Sequence, residues 1–143
     1  MTVNVSANKV VLDCLFELCP RVAQVVAVSS HGAVKAARGT PAYCLSKAAL
    51  NMLIALYAKE RPKTHFSAVA PWIVNTEMQE VLIHKAGDPR FPSLRFLEQM
   101  RDAGEMWTPT QAATELASVF KRALDRPSGT FLDASTPARH VME

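Results

Sequence analysis

The chain has 143 residues, 49% of them apolar and 20% charged, a balance that supports one domain with a buried core and excludes a disordered segment. Its 16 basic and 13 acidic residues leave a net charge of +3 with no long run of one sign, so a nucleic acid partner is not expected. No stretch of about 18 apolar residues spans a membrane, and no leader-like start is visible, so the expected location is cytoplasmic. Cys14, Cys19 and Cys44 are odd in number and lack metal-ligand spacing, and His31, His65, His84 and His140 are scattered. Reduced thiols, ordinary surface or core histidines and no metal site are the expectation.

In chain order, Val3, Ala7, Val10, Val11, Cys14, Leu15 and Leu18 recur at helical spacing until Pro20, which predicts an opening helix with that stripe on its apolar face. Val22 to Val28 is a valine-rich run without charge, bounded by Ser29, Ser30 and Gly32, and reads as a strand buried on both faces. A loop with two glycines and a proline follows from His31 to Pro41.

The second helix, Ala42 to Lys59, carries Leu45, Ala48, Ala49, Met52, Leu53 and Leu56 on one face and Leu50, Ile54 and Ala55 on the other. A helix apolar all round needs cover on both sides, from its own sheet and from another surface such as a second subunit. Phe66 to Ala70 is a second strand, closed by Pro71. The stretch from Met78 to Glu105 is broken by Gly87, Pro89, Pro92 and Gly104 and reads as a movable loop. Thr108 as cap, Pro109 in the first turn and Gln111 three residues after the cap then start a helix, with Ala113, Leu116, Ala117, Phe120 and Leu124 as its core face. Thr130 to Leu132 makes a last short strand. Alternating helices and strands predict an α/β fold, a partial Rossmann-like, doubly wound unit with a parallel sheet of about three strands.

Tyr43 and Lys47 lie four apart at the start of the second helix, so their side chains share a face. A phenol is ordinarily too weak an acid to exchange its proton near neutral pH, and an ammonium one turn away favours the phenolate. The pair could therefore be a catalytic couple, or simply a solvated helix face. Ser30 ends the valine-rich strand thirteen residues before Tyr43, a distance that lets the loop fold back over a site. Ser30 also adjoins His31, but neighbours on extended chain point to opposite sides and no GxSxG turn is present, which argues against a hydrolase.

The run VVAVSS, followed after thirteen residues by YCLSK and continuing as KAALNML, resembles the signature of the short-chain dehydrogenase/reductase family. TVNVSA places Asn4 where that family carries a catalytic Asn. HFSAVAPWIVNTEM resembles the strand and Pro-Gly turn that hold the nicotinamide carboxamide, with Pro71, Val74 and Thr76 at matching positions. WTPTQAATELASVF and SGTFLD resemble the family's last helix and strand, so the likeness runs from Asn4 to Asp133. Trp72 departs from the pattern, which has Gly there, and a large ring is expected to strain that turn or crowd the cofactor.

The resemblance implies carbonyl reduction or alcohol oxidation with NAD or NADP. Tyr43 would be the acid or base, Ser30 the hydrogen-bonding partner of the substrate oxygen, Lys47 the group that tunes the phenol and holds the ribose, and Asn4 the holder of a water. In the family about a hundred residues precede the Asn and include the glycine-rich turn that takes the pyrophosphate. The chain therefore corresponds to the catalytic, C-terminal half, as a single domain over residues 1–143 with a substrate lid at 78–105. Its grip on the dinucleotide is expected to be incomplete, and the first strand is left with an open edge. Phe91, Leu94, Phe96 and Leu97 make the lid apolar, which suits a hydrophobic carbonyl or alcohol substrate. The resemblance also implies a homo-oligomer through the first and second helices. The alternative reading is a non-catalytic chain that keeps those helices for association.

Overall fold

Three strands form a parallel sheet in the order β1-β2-β3, with β1 at Gln24–Val28, β2 at His65–Ala70 and β3 at Thr130–Asp133. The computed structural model describes residues 1–92 and 94–135, so His140 lies outside the described residues. The helices are α1 (Asn8–Leu18), entered through a π-helical segment at Thr2–Ala7, then α2 (Pro41–Glu60), α3 (Glu77–Ile83), α4 (Leu94–Asp102) and α5 (Pro109–Ala123). Both strand-to-strand connections pass through helices, as parallel pairing requires. No helix among the described residues is long and apolar enough to cross a membrane.

Strand β2 is central and buried from Phe66 to Ala70. Strand β1, expected to be buried on both faces, is not. Val25, Val26 and Ala27 are only half-buried and Val28 is exposed, because β1 has an interior-type sequence yet pairs on one side alone.

Helices α1, α2 and α5 lie where expected, but α1 and α5 are rotated away from the expected core face. Helix α1 turns Leu12 and Phe16 into the core and leaves Val10, Val11 and Leu18 exposed, as Val3 is in the π-helical entry. Helix α2 buries Leu50, Ile54 and Tyr57 and exposes Leu45, Met52 and Leu56. Each carries two apolar stripes, and the longer aliphatic stripe is the outer one. In α5 the buried residues are Ala112, Val119 and Ala123, while Ala113, Ala117 and Leu124 face out. The small side chains at 112 and 123 allow α5 to lie close to the sheet, and Gln24 of β1 donates to the Phe120 carbonyl at 2.8 Å to hold it there.

The start of α5 follows its predicted chemistry. Thr108 Oγ1 accepts from Gln111 N at 3.2 Å, and Gln111 Oε1 accepts from Thr108 N at 2.8 Å. The stretch from Met78 to Glu105 is not a plain loop, since it contains most of α3 and all of α4. Gly87, Pro89, Pro92 and Gly104 flank these helices rather than interrupt them.

The core gathers Leu12, Leu50 and Ile54 around the rings of Phe16, Tyr57 and Phe66, whose centroids lie 5.9 to 6.4 Å apart. The buried Tyr57 hydroxyl donates to the Asp13 carboxylate, which ties α2 to α1. Burial, then the hydrogen bond to Asp13, pushes the Tyr57 phenol up to about 12, from 10.0. The folded state thus holds the phenol's proton more tightly than the unfolded chain. The stabilisation is complete below the unfolded pKa and is lost as pH rises through the folded one. Denaturant titrations should show stability falling between pH 10 and 12, and Tyr57→Phe should remove that part of the loss. An identical alkaline profile in the variant would refute the assignment.

Candidate active site

Parallel pairing brings the C-terminal ends of all three strands to one edge of the sheet, where ligands of open α/β sheets bind. At that edge lies a cavity of about 870 Å³, lined by Asn4, Ser30, Tyr43, Lys47, Pro71, Val74 and Thr76 among others. All seven residues singled out from the sequence therefore border one space, although they come from the π-helical entry, two loops and α2.

Ser29 and Ser30 follow β1 but face differently. Ser29 is 3% exposed and its hydroxyl donates to Asn51 Oδ1 at 2.5 Å, inside the fold. Ser30 opens on the cavity, and its Oγ accepts from Gly32 N at 3.1 Å, capping a 3-10 turn at His31–Ala33. Gly32 sits in a tight place. A methyl built on it would lie 3.3 Å from Cys44 Sγ and 3.5 Å from both Ser30 Oγ and Tyr43 Cε1. Ser30 and Tyr43 thus flank the same glycine and border the same cavity.

Lys47, one turn beyond Tyr43, donates from Nζ to the Val28 carbonyl at 2.9 Å. Burial draws the Lys47 ammonium below the usual lysine range. Asn4 Nδ2 donates to Ser46 Oγ at 2.9 Å, and Ser46 Oγ donates to the Tyr43 carbonyl at 2.7 Å, so Asn4 is fixed to the turn that carries Tyr43. The π-helical segment around Asn4 widens the helix where it meets the cavity, a common position for such segments.

After β2 the chain runs extended past Pro71 and makes an isolated parallel bridge between Val74 and Trp107. The bridge uses Trp107 N to the Ile73 carbonyl and Asn75 N to the Trp107 carbonyl, both at 2.9 Å. Val74's own N–H and C=O take no part in it. Trp72 does not strain the turn: no non-glycine among the described residues has a positive φ. Its indole donates to the Glu105 carbonyl at 3.1 Å and packs with Ile83, Met100 and Met106, while still bordering the cavity. The 77–105 segment is also seated on the loop before α2. Gly39 has φ +92, and a Cβ there would fall 2.4 Å from the Phe91 ring.

Three residues that border the cavity were not assigned to the site from the sequence. His31, expected to be an ordinary histidine, borders the cavity and reaches Asp133 Oδ2 through Nδ1 at 2.7 Å. Asp133 is the last residue of β3, and its position at a parallel strand's C-terminal end was the available signal. Gln79 borders the cavity, and its buried Oε1 has no hydrogen-bond partner among the described residues. The Ser30 hydroxyl and the His31 ring engage different partners, so the adjacent pair does not form a nucleophile and base.

The family described as short chain dehydrogenase matches residues 1–87. Benzil reductase ((S)-benzoin forming) of Saccharomyces cerevisiae is 35% identical over 124 residues, covering 82% of this chain and 47% of the yeast protein. Sepiapterin reductase of Rattus norvegicus is 32% identical over 98 residues, covering 68% of this chain and 37% of the rat protein. Among solved structures, the KRED1-Pglu enzyme superposes with a TM-score of 0.75 at 25% identity, over 90% of this chain and 55% of that one. The chain thus spans less than half the length of these sequence relatives, and its three-stranded sheet with flanking helices is part of a larger Rossmann-like fold in the solved one.

Proposed function

The chain belongs to the short chain dehydrogenase family of oxidoreductases, and from that premise we propose that it reduces carbonyls or oxidises alcohols with NAD or NADP, using Tyr43 as the acid or base. The observation that carries the reading is the meeting of Ser30 and Tyr43 at Gly32, with Lys47 one turn behind. A substrate oxygen held between the two hydroxyls is polarised by both. Ser30 Oγ already accepts from Gly32 N, which leaves its own proton for that oxygen. Tyr43 gives its proton to the oxygen in reduction and takes one in oxidation. Lys47, held on the Val28 carbonyl, stands one turn behind Tyr43, and the Asn4 amide oxygen accepts from a water on the path by which the proton is replaced.

The residues present fit the nicotinamide end of the dinucleotide. Val74's N–H and C=O, the Thr76 hydroxyl and Gln79 Oε1 offer donors and acceptors for a carboxamide, with Pro71 beside them. Tyr43 and Lys47 would face the ribose. When bound, the dinucleotide supplies or accepts the hydride. The five glycines, at 32, 39, 87, 104 and 129, form no glycine-rich turn for the pyrophosphate, so the chain's own residues grip the cofactor at one end. Met78 and Phe96 of the 78–105 segment border the cavity, which suits a lid over a hydrophobic carbonyl substrate. Two of the relatives are reductases by name, in keeping with that direction.

The outer stripes of α1 and α2 support a homo-oligomer through these helices. Val10, Val11 and Leu18 are 59%, 64% and 81% exposed, and Leu45, Met52 and Leu56 are 60%, 62% and 50% exposed. Sedimentation should find a dimer or larger species, converted to monomer by Val11→Glu with Leu45→Glu; a monomeric wild type would count against the interface. Activity is tested with NADPH and NADH over a panel of hydrophobic ketones. Cofactor oxidation should fall by at least about 100-fold in Tyr43→Phe, the usual share of general acid catalysis. Turnover unaffected by that change would remove Tyr43 from the chemistry.

A further inference from the structure

Beyond the residues that would act on a carbonyl, the cavity holds a second polar pair at its mouth. Asp133 Oδ1 accepts from Ser135 N at 2.9 Å and from Ser135 Oγ at 2.6 Å, and Oδ2 faces His31 Nδ1 at 2.7 Å. Burial alone would raise this carboxyl, but the Ser135 and His31 hydrogen bonds outweigh it and hold Asp133 below the usual carboxylate range. An ionised carboxylate only accepts, so Nδ1 of His31 carries the proton. In the neutral ring Nε2 is then left with a lone pair.

The ring is placed as firmly as its proton. His31 opens the 3-10 turn that Ser30 caps, and it follows the serine directly in the chain. Its carboxylate partner is anchored at the end of β3, so the imidazole is held from the sheet as well as from the loop. His31, Asp133, Ser30 and Tyr43 border one cavity, whose other walls include Trp72, Ile73, Met78 and Phe96. The space thus offers an apolar bed, two hydroxyls for a carbonyl oxygen and one imidazole lone pair beside them.

We propose that His31, oriented by Asp133, determines specificity by accepting a hydrogen bond from a hydroxyl on the carbon next to the reacting carbonyl, selecting α-hydroxy ketones with an aromatic or other apolar body. The inference rests on the assignment of Ser30 and Tyr43 to the carbonyl oxygen. The His31 ring is 57% exposed, so the substrate hydroxyl replaces a water on Nε2, and the net gain of that hydrogen bond favours the hydroxy ketone over the analogue lacking it.

Binding of 2-hydroxyacetophenone and of acetophenone to the whole chain, followed by calorimetry or NMR, tests this. The hydroxy ketone should bind about tenfold more tightly, the yield of one good hydrogen bond. His31→Phe keeps a ring but removes the acceptor, and the preference should vanish. Asp133→Asn should weaken it several-fold, and imidazole nitrogen NMR should find the Nδ1–H tautomer in the wild type. Equal affinities, failure of both ketones to bind, or a preference that survives His31→Phe would each overturn the proposal. A preference that depends on His31 supports it even if neither ketone drives cofactor oxidation, a result that would count against the reductase reading alone.

Discussion

The site depends first on a contact between α2 and the end of β1. Lys47 reaches 2.9 Å from its ammonium to the last carbonyl of the strand, and this fixes the first turns of α2 against the segment that carries Ser30. The parallel pairing of β1 with β2 sets where that carbonyl lies, because Val28 is in register with Val69 and Ser29 N extends the ladder to the Val69 carbonyl at 2.7 Å. The Ser29 bond to Asn51 and the Asn4 bond to Ser46 act on the same helix and keep the turn of Tyr43 beside the serine. With these ties, a strand, a loop and a helix are brought to a shared glycine.

Around this contact the polar groups satisfy one another in a way that leaves selected atoms unused. Ser29 is taken up by Asn51, and Asn4 by Ser46. Ser30 uses its oxygen on Gly32 and keeps its proton, while His31 uses one nitrogen on Asp133 and keeps the other. Hydrogen bonds made by the surroundings thereby decide which functional atoms face the cavity. The apolar walls then determine what body can accompany a polar group into that space.

Much of this could be read from residue order because the relevant signals are local. The Thr108 and Gln111 box, the valine runs and the Tyr43 and Lys47 spacing each depend on a few neighbouring residues, and the observed elements follow them. Helix rotation was less accessible. Both α1 and α2 are apolar on two sides, so periodicity identifies two faces without saying which one meets the sheet. In α5 the small residues Ala112 and Ala123, rather than Leu124, mark the side of close approach. Prolines and glycines between Met78 and Glu105 suggested a loop, but they stand at the borders of α3 and α4. His31 and Asp133 were hidden for a different reason: they are 102 residues apart, and only the alignment of strand ends makes them neighbours.

The central claim is that the hydroxyls of Ser30 and Tyr43 converge on one substrate oxygen. Isotope-edited infrared spectroscopy of a ketone labelled at its carbonyl and bound in the cavity measures this at the bond concerned. Two donors on the oxygen should lower the stretching frequency relative to the ketone in an apolar solvent, with part of the shift lost in Ser30→Ala, part in Tyr43→Phe and nearly all in the double variant. A frequency that neither substitution changes would contradict the account.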